Sequence, residues 1–402
     1  MPSLRTPSQP PVARAKDGLL IAGILLIALN LRPALAAVGP LVGLIRDSTG
    51  LSNTMLGLLT TLPLLAFAGI SLVTPLATRR FGIPGMLAAA MGLLTIGIFV
   101  RSIPSVFTLY VGTLLLGVAI AFGNVLLPGL VKQSFSKKFG LMTSMYSGAM
   151  GVGAAVAAGI TVPLAEGLQC GWRGALAVWA ALAVIALLLW LPQLSRSSHV
   201  RPPGSYKQAM KQLLASRLAW NVALFMGLQS LAFYVILAWL PDMIQGRGED
   251  AVFAGWMLSL SQATGVLGSL LTPLWAGKRP DQRSIILVLI ALEVVALFGL
   301  IFPAIGPVQL WVAMIGFALG GSFGLSLYLI VVRSNSTETA TKLSGMAQAV
   351  GYSLAATGPF IAGSLFDFTA NWNYVFVLML ALAGIKLYTG LGAARPEEVS
   401  LE

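Results

Sequence analysis

Long apolar runs alternate with short polar breaks along this chain. Twelve runs stand out, at 18–45, 51–78, 83–100, 104–132, 138–165, 172–194, 217–245, 250–277, 283–303, 307–333, 341–367 and 371–393. Nearly all reach the ~20 residues that a helix needs to cross a bilayer, and all are far longer than a ~10-residue barrel strand. Hydrocarbon offers the backbone no hydrogen-bond partner, so a spanning segment is a helix or part of a closed barrel. The pattern predicts an all-α polytopic membrane protein with twelve transmembrane helices.

The breaks carry the organisation. The longest internal one, "SRSSHVRPPGSYKQAMKQLLAS" at 195–216, is basic and contains Pro-Pro-Gly. It reads as a linker ending in a short interfacial helix. It separates a six-helix half at 18–194 from a second at 217–393, with tails at 1–17 and 394–402. The first tail is polar and Pro-rich, is expected to be unstructured, and has no cleavable signal pattern. An even number of spans puts both tails on one face. The loops of that face hold Arg79, Arg80, Lys132, Lys137, Lys138, Arg196, Arg201, Lys207, Lys211, Arg217, Lys278, Arg279, Arg283, Arg333 and Lys342. The opposite loops hold only Arg46, Arg101, Arg173 and Arg247, together with acids such as Asp47, Glu166, Asp242, Glu249, Asp250 and Asp367. The excess of Lys and Arg places both termini in the cytoplasm.

The two halves repeat. "SLVTPL" (71–76) ends span two and "SLLTPL" (269–274) ends span eight, an offset of 198. "SMYSGAMGVGAA" (144–155) in span five answers "SGMAQAVGYSLA" (344–355) in span eleven, an offset of 200. Near-constant offsets at equivalent spans point to two pseudo-symmetric halves.

Composition narrows the function. Hydrophobic residues make up 57% of the 402 and charged residues only 9%, where a soluble chain carries about a quarter charged. The net charge of +12 would suggest nucleic acid in a soluble protein. Here it resides in loops and sets orientation, so no nucleic-acid partner is expected. Cys170 and His199 are the sole cysteine and histidine. They allow no disulfide and no metal cluster. An enzyme needs nucleophile–base pairs or a metal in its cavity, and a nucleotide-driven pump needs a Gly-rich phosphate loop. The chain shows neither, so no enzyme, cofactor or metal is expected.

Five strings carry a resemblance: "LRPALAAVGPL" (31–41), "GLLTTLPLLAFAGIS" (57–71), "GNVLLPGLVK" (123–132), "AWLP" (238–241) and "LSGMAQAVGYSLAATGP" (343–359). Through them the whole chain resembles the cyanate and nitroimidazole transporter family of the major facilitator superfamily. The resemblance implies the major facilitator fold, a monomer in a bacterial inner membrane, and a substrate site at the midplane between two six-span halves. The wider superfamily joins spans two and three with G-x-x-x-D-R-x-G. In "PLATRRFG" (75–82), Pro75 replaces the first glycine and Arg79 the aspartate, which puts the usual charge relay of that loop in doubt.

Arg32 is the leading site candidate. It lies ~21 Å of helix into span one, too deep to reach either interface, and a charge at the bilayer centre costs ~2.5–3.5 kcal/mol. Its planar five-donor fork suits a carboxylate, cyanate or another delocalised anion. Pro33 removes a backbone donor and frees the carbonyl near Leu29. The polar residues inside spans form the next tier: Asn30, Thr60, Asn124, Tyr146, Gln229, Tyr234, Gln262, Tyr328, and the pair Gln348 and Tyr352, which share a helix face at i and i+4. Each could contact substrate or simply bond a neighbouring helix. Gly148, Gly151, Gly351, Gly358 and Pro359, with Pro33, mark where helices could slide or bend. Arg32 and Glu293 read as the charges inside the membrane; Glu293, in span nine, is the candidate for proton coupling, although its helix is peripheral in the resembled fold. Trp239 and Trp256 read as interfacial anchors. Two functions stay open. One is transport of a small anion by alternating access, with Arg32 as its binding residue. The other is export of neutral planar drugs such as nitroimidazoles.

Overall fold

The computed structural model describes residues 11–135, 139–195, 206–335 and 337–399. Among them are twelve helical segments long and apolar enough to cross a membrane: Gly18–Thr49, Asn53–Ile70, Phe81–Ser102, Val106–Val131, Leu141–Gly167, Gly171–Ser195, Arg217–Gln245, Ala251–Ala276, Arg283–Ile301, Val308–Val332, Lys342–Thr369 and Asn373–Ala393. They are numbered here as spans one to twelve. Lys137, Lys138, the linker residues 196–205 and the ends of both tails lie outside the described residues. The first helix begins at Pro11, so residues 11–17, expected as tail, continue span one. Pro at N1 and the helix formers that follow it account for that extension. Spans two and three run through residues 53–102 with a break at Gly82, whose φ of 68° and ψ of 167° are outside helical geometry. Short polar side chains start several spans. Ser52, Ser216 and Asp250 each accept the backbone N–H three residues on, which meets a donor the helix itself leaves unpaired.

The apolar core divides unevenly. One cluster runs through the N-terminal half and into residues 231–258, 296–319 and 352–379 of the C-terminal half. A second holds residues 213–226, 276–290, 325–347 and 383–399, with nothing from the N-terminal half. In chain order the first set is the end of the C-terminal half opposite the tails, and the second is the end beside them. Among the described residues, the halves therefore share a core on the far face only.

Polar contacts cross between the halves on the same face. Asp367, at the end of span eleven, accepts from the backbone N–H groups of Asn53 (3.0 Å) and Thr54 (2.7 Å) and from both of their side chains. These are the first residues of span two, so a carboxylate of one half sits on the positive helix terminus of the other. Arg46 donates to Asp242 at 2.8 Å. Thr61 donates to Ala356 O at 2.7 Å.

Two charges differ from expectation. Glu293 is paired with Lys386 of span twelve, and both side chains are about fully buried. Glu293 thus has a buried cationic partner inside the C-terminal half. Arg101, expected in an outer loop, is buried at 1% exposure. Trp239 is likewise no surface anchor. It is buried, donates to Pro359 O at 2.9 Å and packs on Trp372, whereas Trp256 remains half-exposed.

Breaking a buried pair at one end strands a charge and costs ~3–5 kcal/mol, while replacing both partners by apolar groups is close to neutral. Glu293→Leu alone is expected to abolish a cooperative thermal transition in detergent, and Glu293→Leu with Lys386→Met to restore most of it. For the far-face contacts, Asp367→Asn is expected to open that side more often. The readout is labelling of Tyr234→Cys in a Cys170→Ser background by an impermeant thiol reagent supplied from the far face, and the rate should rise several-fold. An unchanged rate would mean that these bonds do not hold the face shut.

Candidate functional site

The site begins with a broken helix. The first helix stops at Asn30, because Pro33 has no N–H to offer Leu29 O and its ring displaces that carbonyl. Leu31 N–H closes a tighter turn on Ala28 O at 3.1 Å. A four-residue helix follows at Pro33–Ala36, then a 3-10 turn at Gly39–Leu41, and regular helix resumes at Val42–Thr49. The freed Leu29 carbonyl is covered by span five. Gly153 of span five comes so close that a Cβ there would collide with Leu29 O and sit 3.3 Å from the Pro33 ring. Glycine is required at that position for close approach.

Arg32 sits at the break, half-buried. Its guanidinium donates to Tyr234 Oη at 3.3 Å and lies 5.6 Å from the Phe233 ring centroid. Both rings belong to span seven, so this contact joins the two halves. Phe233 and Tyr234 meet edge to face at 5.1 Å. The ring of Tyr352 of span eleven meets Phe67 of span two edge-on at 5.4 Å, a second ring contact between the halves. Among the described residues no carboxylate pairs with Arg32. The arrangement is a cationic fork against the two rings of span seven, with a second ring pair between spans two and eleven. It can hold a flat solute by stacking and a delocalised negative charge by charge-assisted hydrogen bonds.

The other candidates scatter. Gln348 is one turn from Tyr352 and bonds Ser344 of its own helix at 2.9 Å. Gln229 is buried on span seven, where it donates to Ser230 Oγ at 2.7 Å. Its carbonyl oxygen has no partner among the described residues. Thr60 and Gln262 are buried, and Asn124 and Tyr146 half-buried. Asn30 faces away: its amide donates to Leu26 O at 2.8 Å and to Leu182 O of span six at 3.3 Å. Two positions along the chain turn the side chain to another neighbour, so Asn30 is not brought to Arg32. Tyr328 packs on the cluster confined to the tail-side end of the C-terminal half and is not brought to the rings either.

The small residues also separate by role. Gly151 abuts Val266 of span eight, a contact between halves, and Gly148 has open space beside it. Gly351 and Gly358 pack against span seven within their own half, at Gly227 and Leu231. Pro359 supplies the carbonyl that accepts Trp239.

Sequence reasoning missed Phe233 and Phe67 as ring partners, although Phe67 lies in a quoted string and Phe233 precedes Tyr234. It also passed over Thr61, whose neighbour Thr60 was preferred, and over Lys386, which lies openly in the last apolar run.

Comparison with known proteins bears on the family and the fold. The family model of the Major Facilitator Superfamily matches residues 22–356. The chain is 41% identical over 381 residues to an uncharacterized transporter of Bacillus subtilis, across 94% of this chain and 93% of that protein. It is 40% identical over 381 residues to the 2-nitroimidazole transporter of Escherichia coli, across 95% and 96%. It is 29% identical over 371 residues to the cyanate transport protein of Escherichia coli, across 91% and 95%. Among solved structures, a D-xylose-proton symporter superposes with a TM-score of 0.75 at 15% identity, covering 95% of this chain and 99% of that one. These relatives are transporters and not enzymes, and with the twelve-helix fold they show that the chain belongs to the major facilitator superfamily, beside its cyanate and nitroimidazole transporters.

Proposed function

We propose that this protein is a secondary transporter of the bacterial inner membrane that carries a small planar anion, cyanate-like or a small carboxylate, by alternating access. Arg32 is the anion-binding residue. The observation that carries this reading is the cross-half contact of Arg32 with Tyr234, made by a guanidinium with no carboxylate partner among the described residues. A charge that costs ~2.5–3.5 kcal/mol to hold at mid-membrane is retained where a ligand can meet it. The guanidinium fork suits two oxygens of one delocalised group. The rings of Phe233, Tyr234, Tyr352 and Phe67 suit a flat body.

Alternating access is supported by the division of the core. Apolar packing and polar bonds between the halves gather on the face opposite the tails, a state shut on that side. The Lys and Arg excess supports cytoplasmic tails, so the shut side is the outer one. Gly151 and Pro359 lie where the halves touch; with Pro33 they are our candidates for the moving contacts. Glu293, held by Lys386, is not proposed as a coupling group. Exchange, or a proton carried with the substrate, is the coupling consistent with the site. The protein acts as a monomer.

A second reading is favoured by the four rings and by the 40% identical 2-nitroimidazole transporter. In it the cargo is neutral and planar, and Arg32 meets a nitro group. Counterflow in proteoliposomes separates the two. Losing a charged hydrogen-bond partner costs ~1.5–3 kcal/mol, about tenfold or more in affinity. Arg32→Ala is expected to lower saturable cyanate or benzoate exchange by that factor, and Arg32→Lys, which keeps charge but loses the fork, by less. Flux of 2-nitroimidazole that survives Arg32→Ala, with no anion flux in the parent, would overturn the anion reading.

A further inference from the structure

A second guanidinium stands behind the first. Arg101 closes span three, yet its side chain turns inward and is 1% exposed. It donates from one terminal nitrogen to Ala34 O at 2.7 Å. Its Nε and other terminal nitrogen have no partner among the described residues, and none of the ion pairs among them includes it. The backbone explains how a residue at a helix end gets there. Gly112 of span four lies against the Arg101 backbone, where a Cβ would collide with it. Spans three and four thus close up and direct the long side chain toward span one.

Ala34 lies two residues past Arg32, within the broken stretch. Its carbonyl would normally take the N–H of Val38, but that N–H goes to Leu35 O at 3.2 Å. Leu35 and Ala36 N–H both return to Arg32 O, at 3.1 and 3.0 Å. The short helix therefore hangs from the Arg32 carbonyl at one end and from Arg101 at Ala34. An unmet carbonyl in an apolar surround is costly, and a charge-assisted bond is about twice as strong as a neutral one.

We propose that Arg101 is a positioning residue for substrate binding: by holding the Ala34 carbonyl it fixes the broken stretch of span one and so aims the Arg32 guanidinium at Tyr234 and the ligand. The inference rests on the role of Arg32 proposed above. Among the described residues Arg101 makes no hydrogen bond or ion pair with Arg32 or the rings, so it acts through the backbone between residues 32 and 34.

Two readouts on the full chain test it, one independent of any substrate. With 3-fluorotyrosine at position 234, the fluorine resonance reports the guanidinium contact. Arg32→Ala defines its value without that contact. Arg101→Met is expected to move the resonance most of the way to that value, and Arg101→Lys, which can still donate to Ala34 O, to leave it close to the parent. In counterflow with benzoate as probe, Arg101→Met should raise KM about tenfold with Vmax little changed, and should add nothing in an Arg32→Ala background. Should Arg101→Met fail to fold, Arg101→Gln, polar but too short to reach Ala34, carries the same readouts. An unmoved resonance, or equal KM losses with and without Arg32, would overturn the proposal. If Arg32→Ala leaves transport intact, the anion reading falls alone, and the resonance still decides the role of Arg101.

Discussion

Hydrocarbon cannot meet a backbone carbonyl, and span one is broken where it crosses hydrocarbon. That constraint organises the molecule. Pro33 interrupts the ladder, and neighbouring helices close in on the broken stretch. Gly153 of span five closes over Leu29 O. Arg101 of span three takes Ala34 O. Arg32, carried on the break, reaches a ring of the opposite half. A straight helix would need none of these partners and would present no flexible charge at the centre of the bundle.

The same rule separates what was legible in the sequence from what was not. The spans were legible because a membrane helix must be apolar along its whole length, and their observed bounds fall close to the expected ones. Arg32 was legible because a charge inside such a run is conspicuous. The partners were not. Lys386 meets Glu293 across 93 residues of sequence, and nothing in either run says which helices are neighbours. Arg101 sits at the end of its run, where an arginine ordinarily reaches water, so its inward turn depends on a glycine in the next helix. Asn30 and Arg32 differ by two positions, which on a helix point to different neighbours, and only packing decides which one faces the cavity.

The contacts between halves have a chemistry suited to reversal. Within each half the helices are joined by apolar packing along their length. Across the far face a good part of the bonding is done by Asp367, Asn53, Thr54, Arg46 and Asp242. These groups lie at helix ends, where water can replace every bond as it breaks. A wholly apolar seam would have to expose its surface on opening, at ~25 cal/mol for each Å². Charged ends on the rim lower that cost, while the shared core behind them keeps the seam dry when shut.

The pair of Glu293 and Lys386 also constrains how the chain is made. Span nine leaves the ribosome 93 residues ahead of its partner, or about 5–20 s at ordinary rates of synthesis. Through that interval it carries an acid with no counter-charge. The ninth helix gains its counter-charge only when the twelfth supplies Lys386, so this buried pair is completed late in synthesis.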